Sequence, residues 1–227
     1  KVRAIYGYST SVTLMEACFA LPLIEAYKSS CPIAYGYESL KGGCGRLWRE
    51  LRPYKFFSCI DFKKFDKTVS SQLIYDAFDI LAYNLDFTRY KGSGVPDASR
   101  LELEWQWLID YFVKTPMRLC NGEAYKKFSG IPSGSFFTQL IGSIVNYILL
   151  TYASLIFGYD INYIRPNTHD SVMATSSPVP VEGISMLMKS LGMEINADKS
   201  TFTTNVDEVE FLGFGIRGGL PRRVREK

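Results

Sequence analysis

The chain has 227 residues, 47% hydrophobic and 22% charged, with Lys+Arg 26 against Asp+Glu 23 for a net charge of +3. This composition excludes a disordered, collagen-like or low-complexity chain, and a compact body of this length buries roughly 70% of its unfolded surface. The charge is too mild to mark a nucleic-acid binder by its sum, so position must decide.

Fifteen Tyr, 15 Phe and 3 Trp fit a heavily packed interior or a surface that stacks on rings or bases. The Cys count is 5, an odd number with no C-x-x-C pair, and the His count is 1. That argues against a zinc site or disulfide framework and for a reducing compartment. The chain opens and closes in charged sequence without a signal-peptide pattern, as expected of a piece of a longer polypeptide.

Phe56-Phe-Ser-Cys-Ile-Asp61 reads as a short apolar strand ending in a carboxylate. Ser70 is placed to cap a helix running to about Asn84, with Ile74, Ala77, Phe78 and Leu81 on one face. Lys91 to Ser99 is a Gly- and Pro-bearing loop, after which Leu101, Trp105, Leu108 and Phe112 repeat at helical spacing. Asn121-Gly122 predicts a hairpin between Met117–Cys120 and Ala124–Phe128. Leu140 to Phe157 is long and apolar enough to raise a transmembrane reading, but Ser143, Asn146, Thr151 and Ser154 interrupt it. A helix buried on most sides is the expectation. Tyr159–Arg165 and Ser171–Thr175 read as strands joined across Pro166–Asp170. Glu182–Leu191 reads as a helix closed by Gly192, followed by strands around Met193–Ile195 and Val209–Phe214.

Asp61 and Asp66 bracket the point where the first strand runs out, and carboxylates grouped there suit Mg²⁺, which takes oxygen ligands and bridges to phosphates. A solvated turn explains the pair equally well. Gly130-Ile-Pro-Ser-Gly-Ser-Phe-Phe-Thr138 offers a flexible, hydroxyl-bearing loop at a helix start. Thr138 and Asn146 then sit about 80° apart around that helix. The alternative is an ordinary capped helix with Asn146 satisfied internally.

In combination these segments resemble the viral RNA-dependent RNA polymerases, in particular those of partitivirus-like double-stranded RNA viruses. Asp61-Phe-Lys-Lys-Phe-Asp66 is similar to the family's motif A, which implies a metal-binding Asp61 and a ribose-selecting Asp66. Ser133-Gly134 with Thr138 and Asn146 resembles motif B, implying contacts to template and to the 2′-hydroxyl region of the incoming nucleotide. Asn167-Thr-His-Asp-Ser171 falls at motif C, Ala197-Asp-Lys-Ser200 resembles motif D with Lys199 as general acid, and Phe211-Leu-Gly213 resembles motif E. Lys1 and Arg3 with Tyr6-Gly7 look like the end of motif F, which neutralises the triphosphate.

One departure stands out. Motif C ordinarily reads Gly-Asp-Asp, whereas Thr168-His169-Asp170 puts an imidazole at the first aspartate. Imidazole matches hard Mg²⁺ poorly and Mn²⁺ better, so impaired catalysis is expected.

The resemblance implies an α+β polymerase palm, a ferredoxin-like antiparallel sheet backed by helices with partial finger insertions. Residues 1–55 would be finger-derived and residues 56–227 the palm, with the thumb and most fingers outside this sequence. It implies nucleotidyl transfer at Asp61 and Asp170, with Mg²⁺ (or Mn²⁺) as cofactor and His169 beside the metal. The implied partners are ribonucleoside triphosphates, an RNA template and a primer or product duplex, with no membrane, in the host cytoplasm or virion interior. Three readings compete: a reverse transcriptase-like palm, a catalytically inactive palm-fold RNA-binding protein, and an unrelated interaction module.

Overall fold

The computed structural model describes residues 6–224. Helices α1 (Thr10–Ser30) and α2 (Gly43–Leu51) precede strand β1 (Phe56–Lys63) and helices α3 (Phe65–Thr68), α4 (Ser71–Ala82) and α5 (Ala98–Val113). Strands β2 (Pro116–Arg118) and β3 (Ala124–Lys126) lead into α6 (Phe137–Phe157), β4 (Ile161–Asn167) and β5 (Asp170–Thr175). The chain closes with α7 (Val181–Ser190), β6 (Glu194–Ile195), β7 (Thr201–Thr203), β8 (Glu210–Phe211), β9 (Phe214–Gly215) and β10 (Arg222–Arg223).

These elements form two compact units, each drawn from two stretches of chain: Lys1–Ser29 with Asp66–Gly142, and Ser30–Phe65 with Ser143–Lys227. The first unit is helical with one hairpin. Ser70 Oγ accepts the Leu73 N–H, as the sequence predicts, and Asp97 accepts the Arg100 N–H, so α4 and α5 both begin on side-chain caps. The apolar faces of α4 and α5 converge on Phe78, Trp105, Phe112 and Phe137. Their ring centroids lie 5.2–5.5 Å apart in edge-to-face arrangements. These four rings therefore pack the interior of this unit.

The second unit is built on an antiparallel sheet of order β4-β5-β1-β6, with β7 also pairing β1. Its core takes Phe57 and Cys59 from β1, Val172 and Ala174 from β5, Leu47 and Leu51 from α2, and Val209, Phe211 and Ile216 from the C-terminal segment. Side chains alternate along a strand, so Phe57 and Cys59 fix the face on which Asp61 lies, and Val172 and Ala174 do the same for Asp170.

Three expectations are corrected. β1 continues past Asp61 to Lys63 because Phe62 and Lys63 pair with β6, so Asp61 lies inside the strand. β4 and β5 zip up through Pro166↔Ser171 and Asn167↔Asp170, leaving only Thr168 and His169 as the loop. Pro166 is tolerated there because β4 is an edge strand. The Val209–Phe214 run is a hairpin, turned by Leu212 and Gly213 at φ 53 and 75.

Helix α6 is long and apolar enough to cross a membrane, yet 56% of its most apolar window is buried inside the protein.

Candidate active site

The β1/β5 register sets Asp61 directly opposite Asp170. Asp61 is held on its backbone and its side chain: its carbonyl accepts the Asn196 N–H at 2.7 Å and its N–H reaches Ser200 Oγ at 3.1 Å. Asn196 Nδ2 donates to Asp61 Oδ1 at 2.8 Å. Asp170 Oδ2 accepts the Leu212 N–H at 2.9 Å. Burial, followed by the Asp61 charge, pushes the Asp170 carboxyl up to about 7, against the lowering effects of the Leu212 N–H and the Lys199 charge. Two carboxylates facing each other at low exposure form a locus that a divalent cation would relieve.

His169 Nε2 lies 3.8 Å from Asp61 Oδ2, with its side chain 50% exposed. Lys199 is exposed on the turn after β6. Among the described residues no three His, Cys, Asp or Glu side chains are grouped to enclose a metal. The pair fits a cation that keeps water and phosphate ligands and takes one or two carboxylates, which is the habit of Mg²⁺.

Thr168 carries φ 52, a conformation in which a β-branched side chain is an outlier. Helix α6 holds both of its backbone groups. Ser143 Oγ accepts the Thr168 N–H at 3.0 Å, and Asn146 Nδ2 donates to the Thr168 carbonyl at 2.8 Å. Residues three apart on a helix share one face, so this single stripe of α6 fixes the turn that carries Asp170. Asn146 is fully buried, and its Oδ1 has no partner among the described residues. The Nδ2 side of the Asn146 amide is thus spent within the protein, on the β4–β5 turn.

The remaining expected residues lie in the other unit. Asp66 is exposed at the start of α3, and its carbonyl accepts the Ile131 N–H. Ser133 is half-buried with its carbonyl bonded to the Tyr6 N–H, and Thr138 Oγ1 donates to the Pro132 carbonyl at 2.7 Å. Gly134, at φ 119, is exposed; a Cβ there would sit 2.4 Å from the Tyr6 carbonyl oxygen, so the close approach requires glycine. Lys1 and Arg3 lie outside the described residues.

Sequence reading missed Asn196 and the Leu212 N–H. Asn196 directly precedes the Ala197–Ser200 segment and could have been found by its adjacency. A backbone donor on a strained turn leaves no mark in the residue pattern.

A sequence model described as viral RNA-dependent RNA polymerase matches residues 1–227. The RNA-directed RNA polymerase of White clover cryptic virus 1 is 26% identical over 98% of this chain and 41% of its own length. That of Cryptosporidium parvum virus 1 is 31% identical over 96% of this chain and 41% of its own length. This chain thus spans about two fifths of these relatives. The crystal structure of the RNA-dependent RNA polymerase of a human picorbirnavirus superposes with a TM-score of 0.75 at 18% identity, over 94% of this chain and 39% of that one. A Sicinivirus RNA-dependent RNA polymerase gives 0.74 at 19% identity, over 98% of this chain and 48% of that one. The fold is that of the palm-type viral polymerases, and with its full length matched, the chain belongs to the viral RNA-dependent RNA polymerase family.

Proposed function

We propose that this chain carries the catalytic part of a template-directed RNA polymerase, joining ribonucleoside triphosphates to an RNA 3′-hydroxyl. The observation that carries the reading is the opposed pair of carboxylates, Asp61 buried and Asp170 half-buried. In this reading residues 56–227 serve as the palm and residues 1–55 derive from the fingers.

Asp61 and Asp170 would hold Mg²⁺ or Mn²⁺, with His169 at the edge of that site. The bound cation supplies charge neutralisation at the reacting phosphate and lowers the pKa of the attacking hydroxyl. The 3′-hydroxyl would release its proton to solvent water as its oxygen bonds to the α-phosphorus, the bridge to pyrophosphate would break, and Lys199 would deliver a proton to that leaving group. Phosphoryl transfer is mostly positioning and electrostatics. Asp66, Ser133, Gly134, Thr138 and Asn146 are assigned to the incoming nucleotide, Asn146 by way of the β4–β5 turn that it holds, and Lys1 and Arg3 to its triphosphate. Template and duplex bind through phosphate contacts, so affinity falls steeply with salt. The place of action is the virion interior or the host cytoplasm.

The approach of His169 to Asp61 favours a second reading, a palm that binds RNA without catalysis. A protonated imidazole there would neutralise Asp61 in place of a metal.

Primer extension on a short RNA hairpin, with Mg²⁺ and then Mn²⁺, separates the two. The polymerase reading expects His169→Asp to raise Mg²⁺-supported extension about tenfold or more, each tenfold being ~1.4 kcal/mol of barrier. Extension by neither form, from folded chain that binds RNA, leaves the non-catalytic palm.

A further inference from the structure

The loop from Gly130 to Phe136 begins and ends on charged side chains that are almost wholly buried. At its start Lys127, 7% exposed, donates from Nζ to the Gly130 carbonyl at 2.6 Å. At its end Glu16, 1% exposed, accepts Ser135 Oγ–H on Oε1 at 2.7 Å and the Phe136 N–H on Oε2 at 2.9 Å. Ser135 Oγ in turn accepts the Phe137 N–H at 3.0 Å, so Glu16 reaches the first turn of α6 through two routes.

Burying an ion costs several kcal/mol unless something specific repays it. Burial lowers the Lys127 ammonium to about 8 and raises the Glu16 carboxyl above its usual range, opposed by the Ser135 and Phe136 bonds. A carbonyl, a hydroxyl and an amide could all be satisfied by neutral partners. Charge-assisted bonds are shorter and about twice as strong, and they fix geometry where neutral ones only satisfy it. Backbone contacts complete the grip. Gly130 N–H bonds the Val69 carbonyl at 2.8 Å, Ile131 N–H bonds the Asp66 carbonyl at 2.7 Å, and a Cβ on Gly130 would sit 2.6 Å from the Asp66 carbonyl oxygen. Between the two grips, Gly134 is left exposed and Ser133 half-buried.

We propose that Glu16 and Lys127 are positioning residues, one at each end of the Gly130–Phe136 loop, that hold Ser133 and Gly134 in the shape that receives the ribonucleoside triphosphate. The functional half of this inference rests on the polymerase reading; the structural half does not.

Amide hydrogen exchange of segment 129–138, with α4 and α5 as internal reference, tests the grip in Glu16→Leu and Lys127→Met. Losing a charge-assisted bond should speed exchange in the segment about tenfold to hundredfold and leave α4 and α5 unchanged. Glu16→Gln, which keeps one acceptor at the same reach but loses the charge and the second acceptor, should restore only part of the protection. Should an apolar variant fail to fold, Glu16→Asp keeps the charge but withdraws from the Phe136 N–H, and it carries the same expectation. Unchanged exchange, or exchange raised equally through α4 and α5, overturns the proposal.

In primer extension the variants should raise KM for ribonucleotides and lower preference over deoxyribonucleotides severalfold, with kcat less affected. A loosened loop with unaltered KM and selectivity overturns the positioning role. A wild-type chain that extends no primer sinks the polymerase reading separately, and the exchange pattern still decides whether the two side chains hold the loop.

Discussion

Leu212 donates its N–H to Asp170 Oδ2 at 2.9 Å from a backbone position at φ 53. A left-handed conformation costs a Leu roughly 1–2 kcal/mol. The β8–β9 hairpin therefore meets the half-buried carboxylate at an energetic cost, and strain of this kind persists only where surrounding contacts over-determine it.

Asp170→Asn keeps an acceptor for that N–H and removes the charge facing Asp61. In metal-free buffer at pH 8 the variant should be more stable than wild type by about 1–3 kcal/mol, since the repulsion between two facing carboxylates is removed while Asp61 keeps its own bonds. Added Mg²⁺ should raise the wild-type melting temperature and leave the variant unmoved. Thermal unfolding with chelator and with Mg²⁺ checks both. Equal Mg²⁺ stabilisation of the two forms would remove Asp170 from the metal site.

Asn146→Ala leaves the Thr168 carbonyl unpaired, and Ser143→Ala does the same to its N–H. Each should cost about 1–3 kcal/mol in urea unfolding. Both hold one residue, so the double variant should cost less than the two singles added together. Additivity would mean that the two side chains act independently. Asn146→Ala should also lower discrimination between ribo- and deoxyribonucleotides, read by incorporation of each.

Thr168→Gly tests strain in the turn. A glycine substitution ordinarily costs about 0.5–1 kcal/mol in chain entropy. At φ 52 it removes a penalty of about the same size or larger, so stability should stay level or rise. A loss above 1 kcal/mol in chemical unfolding would show that the threonine is not strained there.

Lys127 predicts a pH dependence whose sign follows from its lowered pKa of about 8. Below pH 8 the ammonium is charged in both folded and unfolded chains, and the full burial cost is paid. Between pH 8 and the unfolded value near 10.5 the folded chain releases the proton first, so stability rises with pH. Relative to Lys127→Met, wild type should gain about 2 kcal/mol from pH 7 to pH 9.5. A constant difference across that range would place Lys127 in contact with water.

The fold was legible where period and capping are local. Ser70 and the Ile74, Ala77, Phe78, Leu81 stripe gave α4, and Asn121-Gly122 gave the β2–β3 hairpin. What failed was strand ends: β1 is extended by β6, far away in sequence, and β4 runs on through Pro166, a residue that ordinarily marks a strand's end. In the site, Asp61 and Asp170 could be read from their neighbours. The direction of Asn146 could not, because a helix position shows which residues share a face but not what that face meets. Glu16 carried no signal in the sequence, and only the folded chain puts it against Ser135 and the Phe136 N–H.

The pairing of Asp170 with both Asn167 and Asp61 leaves Thr168 and His169 as the whole of the loop. Side chains alternate with a period of two, so one residue more or less between these strands would slip the ladder and turn Asp170 to the opposite face, unless a bulge absorbed it. The length of this loop is thus locked by parity, while its chemistry is open. Substitution at Thr168 and His169 leaves that parity untouched, whereas a single insertion or deletion between the strands does not.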